Sequence, residues 1–414
     1  MPDKPKIIFI GDYCRTDYLY LLKDAIPACN FYFLHYTSII EETNQSYSKA
    51  GKAIYWSEFK DAYELLSLIK PAKVVFLYIE SYNHVVLNLA CKQASIPTYH
   101  LEHGLRADYV AGFDAAISPS PKQSFPEKLK DYWRFLTQIT PRLKSRKFLL
   151  NSIKRLSPED AAFVRHFINI RSQNNYLGTF REIRSPKRIP QAYISFSPAV
   201  FKVHQEHDDL PANYPVHFIG VPYFDKLAFV KEGITEKNIL FIDQPLAEHH
   251  LLKWTQTDKD ELIKALYSTC KQYQYKLFVK LHPKQKATAW ANPRYSDVIT
   301  ILTDAELPEI ASQVNMVMGF YSTLLMPFAA MSHVALVTLE NHPAGKLDVS
   351  KSFIEAGVAH PIYNLEDLPW ALENIEQLHQ QQLPHKEKFI TDWLYKFDGK
   401  AGERLRDILL SESL

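Results

Sequence analysis

Short apolar runs alternating with longer amphipathic stretches constrain this chain more than any other feature. KIIFIG (6–11), NFYFLHY (30–36) and AKVVFLYIE (72–80) read as buried parallel strands. A helical stretch through HVVLNLACKQA follows the third, then IPTYHLEHG gives a strand with its loop, and FDAAISPS (113–120) gives another. QAYISFS (191–197) and YPVHFIGVP (214–222) close this half. The alternation starts again at KNILFIDQPL (237–246) and a helix over DKDELIKALYSTCKQY. It continues through YKLFVKLHP (275–283), DVITILT (297–303) and NMVMGFYS (315–322), then a helix TLLMPFAAM and the strand HVALVTL (333–339). Strand–helix alternation of this kind builds βαβ units and a parallel sheet. We therefore expect two doubly wound α/β domains in tandem, with the carboxyl ends of both sheets around a shared cleft.

A chain of 414 residues, 46% of them hydrophobic, is long enough for two such domains. The expected boundaries are 1–228, with a basic helical segment at 121–190, and 229–385. Helices at 386–414 are expected to pack back on the first domain. GVPYFDK marks the first boundary. In 121–190, helices are expected around 127–138 and 158–172.

The net charge of +2 argues against a nucleic-acid-coating protein. The four cysteines (Cys14, Cys29, Cys91, Cys270) show no CxxC spacing, so neither a zinc site nor a disulfide framework is indicated. The start, MPDKPKIIFIGDY, reads as neither signal peptide nor membrane span, and no run of about 18 apolar residues occurs. A cytoplasmic protein with reduced thiols is the expectation. Between Lys128 and Arg155, nine Lys/Arg stand against one acid, Asp131. This stretch fits an anionic lipid surface, an anionic glycan, or simply a solvated helical face.

In doubly wound sheets, ligands bind beyond the carboxyl ends of the strands, so the residues after each strand are the candidates. After the first strand, IGDY holds one glycine; it is not GxGxxG, and no P-loop occurs, which removes the dinucleotide and NTP-hydrolysis readings. Asp12 is either a site residue or a helix N-cap. Glu102, His103 and Gly104 follow another strand. A carboxylate and an imidazole there can each take a proton from a hydroxyl, and the glycine allows a tight turn or a ligand's close approach. The alternative is a satisfied polar turn. In KLHPK, Pro283 fixes the backbone beside His282, and Lys280 and Lys284 make the loop cationic, as a phosphate requires. In GFYSTLLMPF, Ser322 and Thr323 stand where a helix begins, offering hydroxyls and free N–H groups to an anion, or an ordinary cap. In FIDQPL, Asp243, Gln244 and Pro245 follow a strand, and Gln244 can meet a base or ribose. The set suggests group transfer from a phosphate-linked donor on the second domain to an acceptor hydroxyl activated from the first. No DxD pair marks a metal site, so no divalent ion or other cofactor is expected.

The order EHG, KLHP and Gly-x-x-Ser-Thr resembles the bacterial GT-B glycosyltransferases that use CMP-activated acidic sugars. These include the sialyl- and polysialyltransferases, with acid-acid-Gly, His-Pro and Ser/Thr motifs. The sequence is similar also to the capsule Kdo transferases and the CDP-glycerol polymerases, which share an HG and an HP loop. The resemblance spans both halves. It implies a GT-B fold, two Rossmann-like doubly wound domains facing a central cleft, and inverting, metal-independent transfer from a CMP-linked nucleotide sugar to a glycan or glycolipid acceptor. It implies surface polysaccharide or lipooligosaccharide synthesis at the inner face of the membrane, a setting that the basic stretch 128–155 fits, whether it meets anionic lipid or an anionic glycan.

Carried onto this chain, the acid-acid-Gly motif falls on Glu102, His103 and Gly104, with His103 in place of the second acid. In the sialyltransferase pattern the resemblance implies a carboxylate of this motif as base, and in the HG pattern the histidine. His103 is taken as the base, with Glu102 as its partner or an acceptor ligand, and Glu102 is the alternative base. The resemblance implies His282 and Pro283 on the donor phosphate and Ser322 and Thr323 in phosphate contact; Lys280, Gln244 and Gly319 are assigned to the donor side from their strand-end positions. Asp12, Gly104 and Arg106 are assigned to the acceptor side. The competing readings are a CDP-alditol glycerophosphotransferase, a UDP-sugar transferase or 2-epimerase, for which GVPYFDK speaks, and a non-catalytic GT-B binding module.

Overall fold

The computed structural model describes residues 4–104, 136–174, 178–179, 182–231, 233, 237–283, 285 and 287–412. The described residues form two compact units. The first takes residues up to His103, those between Gln123 and Tyr223, and Lys400 onward; the second runs from Phe224 to Gly399. The C-terminal segment 386–414 is thus divided between them. The expected strand 113–120 and the helix around 127–135 lie outside the described residues, as does Arg106.

The first unit is built on a seven-stranded sheet: β1 (Lys6–Ile10), β2 (Asn30–Leu34), β3 (Gly51–Ile54), β4 (Lys73–Phe76), β5 (Thr98–Leu101), β6 (Ala192–Ser195) and β7 (Val216–Phe218). Their order is β3-β2-β1-β4-β5-β6-β7, and every pairing is parallel. Ile7 to Ile10 are all fully buried, as a strand covered on both faces requires. Each such side chain contributes roughly 1.5–3 kcal/mol. The helix Tyr82–Gln93 starts at a Ser81 cap, and His84 Nδ1 accepts from the N–H groups of Glu80 and Ser81 at 3.3 and 3.4 Å. The helix Ala401–Leu410 returns to this unit. Its last carbonyls meet Lys73, whose ammonium donates to Ile408 O at 2.5 Å, and Arg404 Nε donates to Ile219 O at 2.7 Å.

The second unit is a six-stranded sheet: β8 (Asn238–Ile242), β9 (Lys276–Lys280), β10 (Ile299–Leu302), β11 (Met316–Gly319), β12 (Ala335–Leu339) and β13 (His360–Ile362). The order β10-β9-β8-β11-β12-β13 repeats the first six strands of the other sheet, again all parallel. The helix Gln256–Gln272 lies between β8 and β9, capped by Thr255. In each sheet the strand order reverses once, between β1 and β4 and between β8 and β11. Loops at the carboxyl ends of those strands are where such sheets bind ligands.

Three expectations are corrected here. The helix 158–172 is present as Pro158–Gln173, and the basic helical segment before it holds a 17-residue helix, Ile139–Arg155, whose bounds were not anticipated. The strands β2 and β4 stop at Leu34 and Phe76, two and four residues short of their expected ends at 36 and 80. The helix over TLLMPFAAM is a 3₁₀ turn, Thr323–Leu325, followed by a five-residue helix, Met326–Ala330. All four cysteines are free and buried.

Candidate active site

In the first unit, Glu102 follows β5 and is 1% exposed. Its Oε2 lies 2.5 Å from His204 Nε2, on the helix Pro198–Asp208, and its Oε1 accepts the His103 N–H at 3.0 Å. Its own N–H donates to Ile194 O, extending the β5–β6 ladder by one residue. Both carboxylate oxygens are therefore committed to holding the turn. His204 sits in a buried group with Tyr193, Asp208 and Arg188. Tyr193 Oη donates to Asp208 Oδ2 at 2.9 Å, and Arg188 pairs with Asp208 Oδ1. Burial acts to raise the Asp208 pKa, but Arg188 and then His204 outweigh it and hold the carboxyl below its ordinary value.

His103 is half-buried, with its ring edge-on to Tyr18 at 5.3 Å and to Tyr78 at 6.3 Å between centroids. Its carbonyl accepts from Tyr223 Oη at 3.4 Å. Tyr78 Oη in turn lies 3.3 Å from His35 Nδ1. Burial lowers the pKa of His35, against the pull of Asp12 and Glu41. Asp12 Oδ1 accepts from Tyr36 Oη at 2.6 Å and from the Cys14 N–H at 3.1 Å. It is not a helix N-cap, since Arg15 holds that position before Thr16–Leu21. Arg15 donates to Tyr18 Oη at 2.7 Å and pairs with Asp17. The loops after β1, β2, β4 and β5 thus bring together Asp12, His35, Tyr36, Tyr78, Glu102 and His103.

Gly104 has no backbone conformation that demands glycine, and among the described residues nothing lies within 4 Å of where its Cβ would sit. The tight-turn reason given for it falls away. The strand-end rule that singled out Asp12 and His103 applies equally to His35 and Tyr78. They escape it because the expected strands run through them.

In the second unit, Asp243 follows β8 and is 2% exposed. It accepts from Gln285 Nε2 and Trp290 Nε1, each at 2.8 Å, and pairs with Lys259 at 3.2 Å. Burial raises its pKa, with Lys259 the main opposing influence. His282 follows β9; its N–H donates to Gln285 Oε1 at 2.8 Å. Pro283 beside it is exposed, and Lys284 lies outside the described residues. Gln244 is half-buried, and its N–H donates to Asp243 Oδ1 at 2.8 Å.

The Lys280 ammonium is engaged by Asp304 Oδ1 at 2.8 Å and by Leu281 O at 3.0 Å. Gly319 is explained by packing, because a Cβ would lie 2.7 Å from Ile242 O on the neighbouring strand β8. Ser322 caps the 3₁₀ turn, accepting from the Leu324 N–H at 3.2 Å, and Thr323 begins it. The helix that follows is too short to present a macrodipole, so the hydroxyls are what these two residues offer a phosphate. Among the described residues, no group of three or more His, Cys, Asp or Glu is placed to hold a metal ion.

Two parallel doubly wound sheets in one chain make the GT-B architecture, and solved structures agree. MurG of Acinetobacter baumannii is 13% identical, with 98% of this chain covering 99% of that one at a TM-score of 0.52. CalG4, the calicheamicin glycosyltransferase, is 11% identical over 100% and 98% at 0.53. A variant of the wall teichoic acid polymerase TagF is 12% identical over 98% and 88% at 0.50. At these identities the likeness establishes the fold. No curated protein matches the sequence. The sequence model of the alpha-2,8-polysialyltransferase family matches residues 6–341, and the chain belongs to that family. It is accordingly a transferase, with a nucleotide-sugar donor and a glycan acceptor.

Proposed function

We propose that this protein moves an acidic sugar, of the sialic, nonulosonic or Kdo type, from a CMP-activated donor to a glycan acceptor, with inversion and without a divalent cation. The product class is bacterial surface polysaccharide or lipooligosaccharide. The observation that carries the reading is the family match over residues 6–341, which contains every strand-end motif from Glu102 to Thr323. In the reaction, the acceptor hydroxyl attacks the anomeric carbon while His103 takes its proton. The bond from that carbon to the CMP phosphate oxygen breaks, and the phosphate leaves as an anion. Glu102 is fully engaged by His204 and the His103 N–H, so the half-buried imidazole is the group we assign as base. Asp12, Gly104 and Arg106 we assign to the acceptor. On the donor side, His282 meets the leaving phosphate, with Ser322 and Thr323 hydroxyls, and Gln244 meets the nucleoside.

The test is incubation with CMP-sialic acid or CMP-Kdo, with and without a chelator, following CMP release. Release only from a CDP-linked alditol or a UDP-sugar would replace the donor assignment.

We further propose that the enzyme rests on an anionic lipid surface through the described part of 128–155. The helix Ile139–Arg155 carries six Lys/Arg and no acid. Phe148, Ser152 and Ile153 turn inward, whereas Ile139, Leu143 and Leu150 are 40, 55 and 49% exposed. Their spacing puts these three on one face, with Arg142 and Arg146 to one side and Lys147 and Lys154 to the other. A polyanionic glycan has no use for that apolar stripe; an anionic bilayer uses both features. Among the described residues, no helix is long and apolar enough to cross a membrane.

A further inference from the structure

Asp243 is a buried carboxylate that joins three separate parts of the second unit. Its donors come from its own loop (the Gln244 N–H), from the helix Gln256–Gln272 (Lys259) and from the chain beyond β9 (Gln285 and Trp290). Trp290 is itself 2% exposed and packs 5.3 Å from the Phe241 ring of β8. Lys259 is 4% exposed and also pairs with Glu248, so the ammonium is fixed as well. A well-packed apolar residue in such a place is often as stable as an ion pair, so stability alone does not account for the carboxylate.

Its chemistry dictates what Gln285 must do. A carboxylate only accepts, so the Gln285 amide must turn its NH₂ toward Asp243, at 2.8 Å. That fixes the carbonyl Oε1 on the opposite side, where it accepts the His282 N–H at 2.8 Å. The backbone N–H of Gln285 donates to His282 O, also at 2.8 Å. One residue therefore grips the main chain of His282 on both sides, and Asp243 sets the orientation of that grip. Pro283, with its fixed φ, occupies the step between.

We propose that Asp243 and Gln285 are positioning residues for His282, holding its backbone so that the imidazole is presented to the donor phosphate. The proposal rests on the reading of His282 given above. Misplacing a reacting group by about 1 Å can lower a rate by roughly 100-fold, which is the scale of effect such a clamp controls.

Gln285→Met preserves the length of the side chain and removes both polar ends. Steady-state kinetics on this variant, on His282→Ala and on the double variant test the clamp. Hydrogen exchange of the 281–285 amides and thermal unfolding are read alongside. We expect kcat/KM for the donor to fall roughly 10- to 100-fold in Gln285→Met, with acceptor KM unchanged and faster exchange at 281–285. In the His282→Ala background the same substitution causes no further loss, because it acts through His282. Gln285→Ala gives the same pattern should the methionine pack badly. Equal losses in both backgrounds, or unchanged activity with unchanged exchange, would overturn the clamp alone. Full turnover by His282→Ala would overturn the donor-phosphate reading, and the positioning role with it.

Discussion

His204 Nε2 lies 2.5 Å from Glu102 Oε2, with the two side chains 2% and 1% exposed. The pair ties the helix Pro198–Asp208 to the loop that carries His103. His204→Ala leaves a buried carboxylate without its main partner. Leaving a buried polar group without its hydrogen-bond partner costs about 1–3 kcal/mol. Urea denaturation is expected to show a fall of that size in the unfolding free energy, read from a lower midpoint at unchanged slope; an unchanged midpoint would mean that Glu102 is not held as described.

His103→Ala should separate from this cleanly. The side chain is half-buried, and Glu102 bonds the main chain of His103 rather than its imidazole. Turnover is expected to fall roughly 10²- to 10⁴-fold, the usual contribution of a general base, while the unfolding midpoint moves little. Retention of turnover in this variant would return the role of base to another group.

Gly319→Ala tests the packing explanation. The new methyl would sit 2.7 Å from Ile242 O, a backbone atom in a buried strand that cannot swing away. Overpacking of this kind costs about 1–3 kcal/mol. A thermal melt should report the loss; a neutral result would mean that β8 and β11 can separate.

His84 makes acid stability specific. Burial lowers its pKa from 6.5 to about 3, and its Nδ1 must stay unprotonated to accept from Glu80 and Ser81. Below 6.5 the unfolded chain binds a proton that the folded chain refuses. Stability therefore falls as pH drops from 6.5 toward 3, by up to about 1.4 kcal/mol per pH unit. His84→Asn should flatten this part of the stability–pH curve. An equally steep slope in the variant would assign the effect elsewhere.

The exposed stripe on Ile139–Arg155 predicts surface binding. Wild-type protein should co-sediment with vesicles containing anionic lipid and less with zwitterionic ones. Leu143→Asp with Leu150→Asp should weaken this without lowering the melting temperature, since both side chains are about half exposed. Binding unchanged by these substitutions but abolished by salt would point to a purely electrostatic partner.

The double run of strands and helices was legible because buried parallel strands are nearly all apolar, and the strand-end rule then reached Asp12, Glu102, His103, Asp243 and His282. The rule failed at His35 and Tyr78 because FLHY and FLYIE stay aromatic and apolar beyond the last ladder pairs, Leu34 with Ile54 and Phe76 with Ile10. The helix Ile139–Arg155 hid itself by being apolar on two faces, which erases the amphipathic period. His204 lies 102 residues from Glu102, and Gln285 lies 42 from Asp243, and no local pattern joins either pair. GKAI, the strand β3, is too short and too weakly apolar to stand out.

The central claim is the donor class, and CMP release from CMP-sialic acid or CMP-Kdo in the presence of a chelator tests it most directly. The account predicts CMP release that needs a glycan acceptor, persists without divalent cations and is lost in both His103→Ala and His282→Ala. Undiminished release by both variants, or no CMP from either donor while a CDP- or UDP-linked donor is consumed, would contradict it.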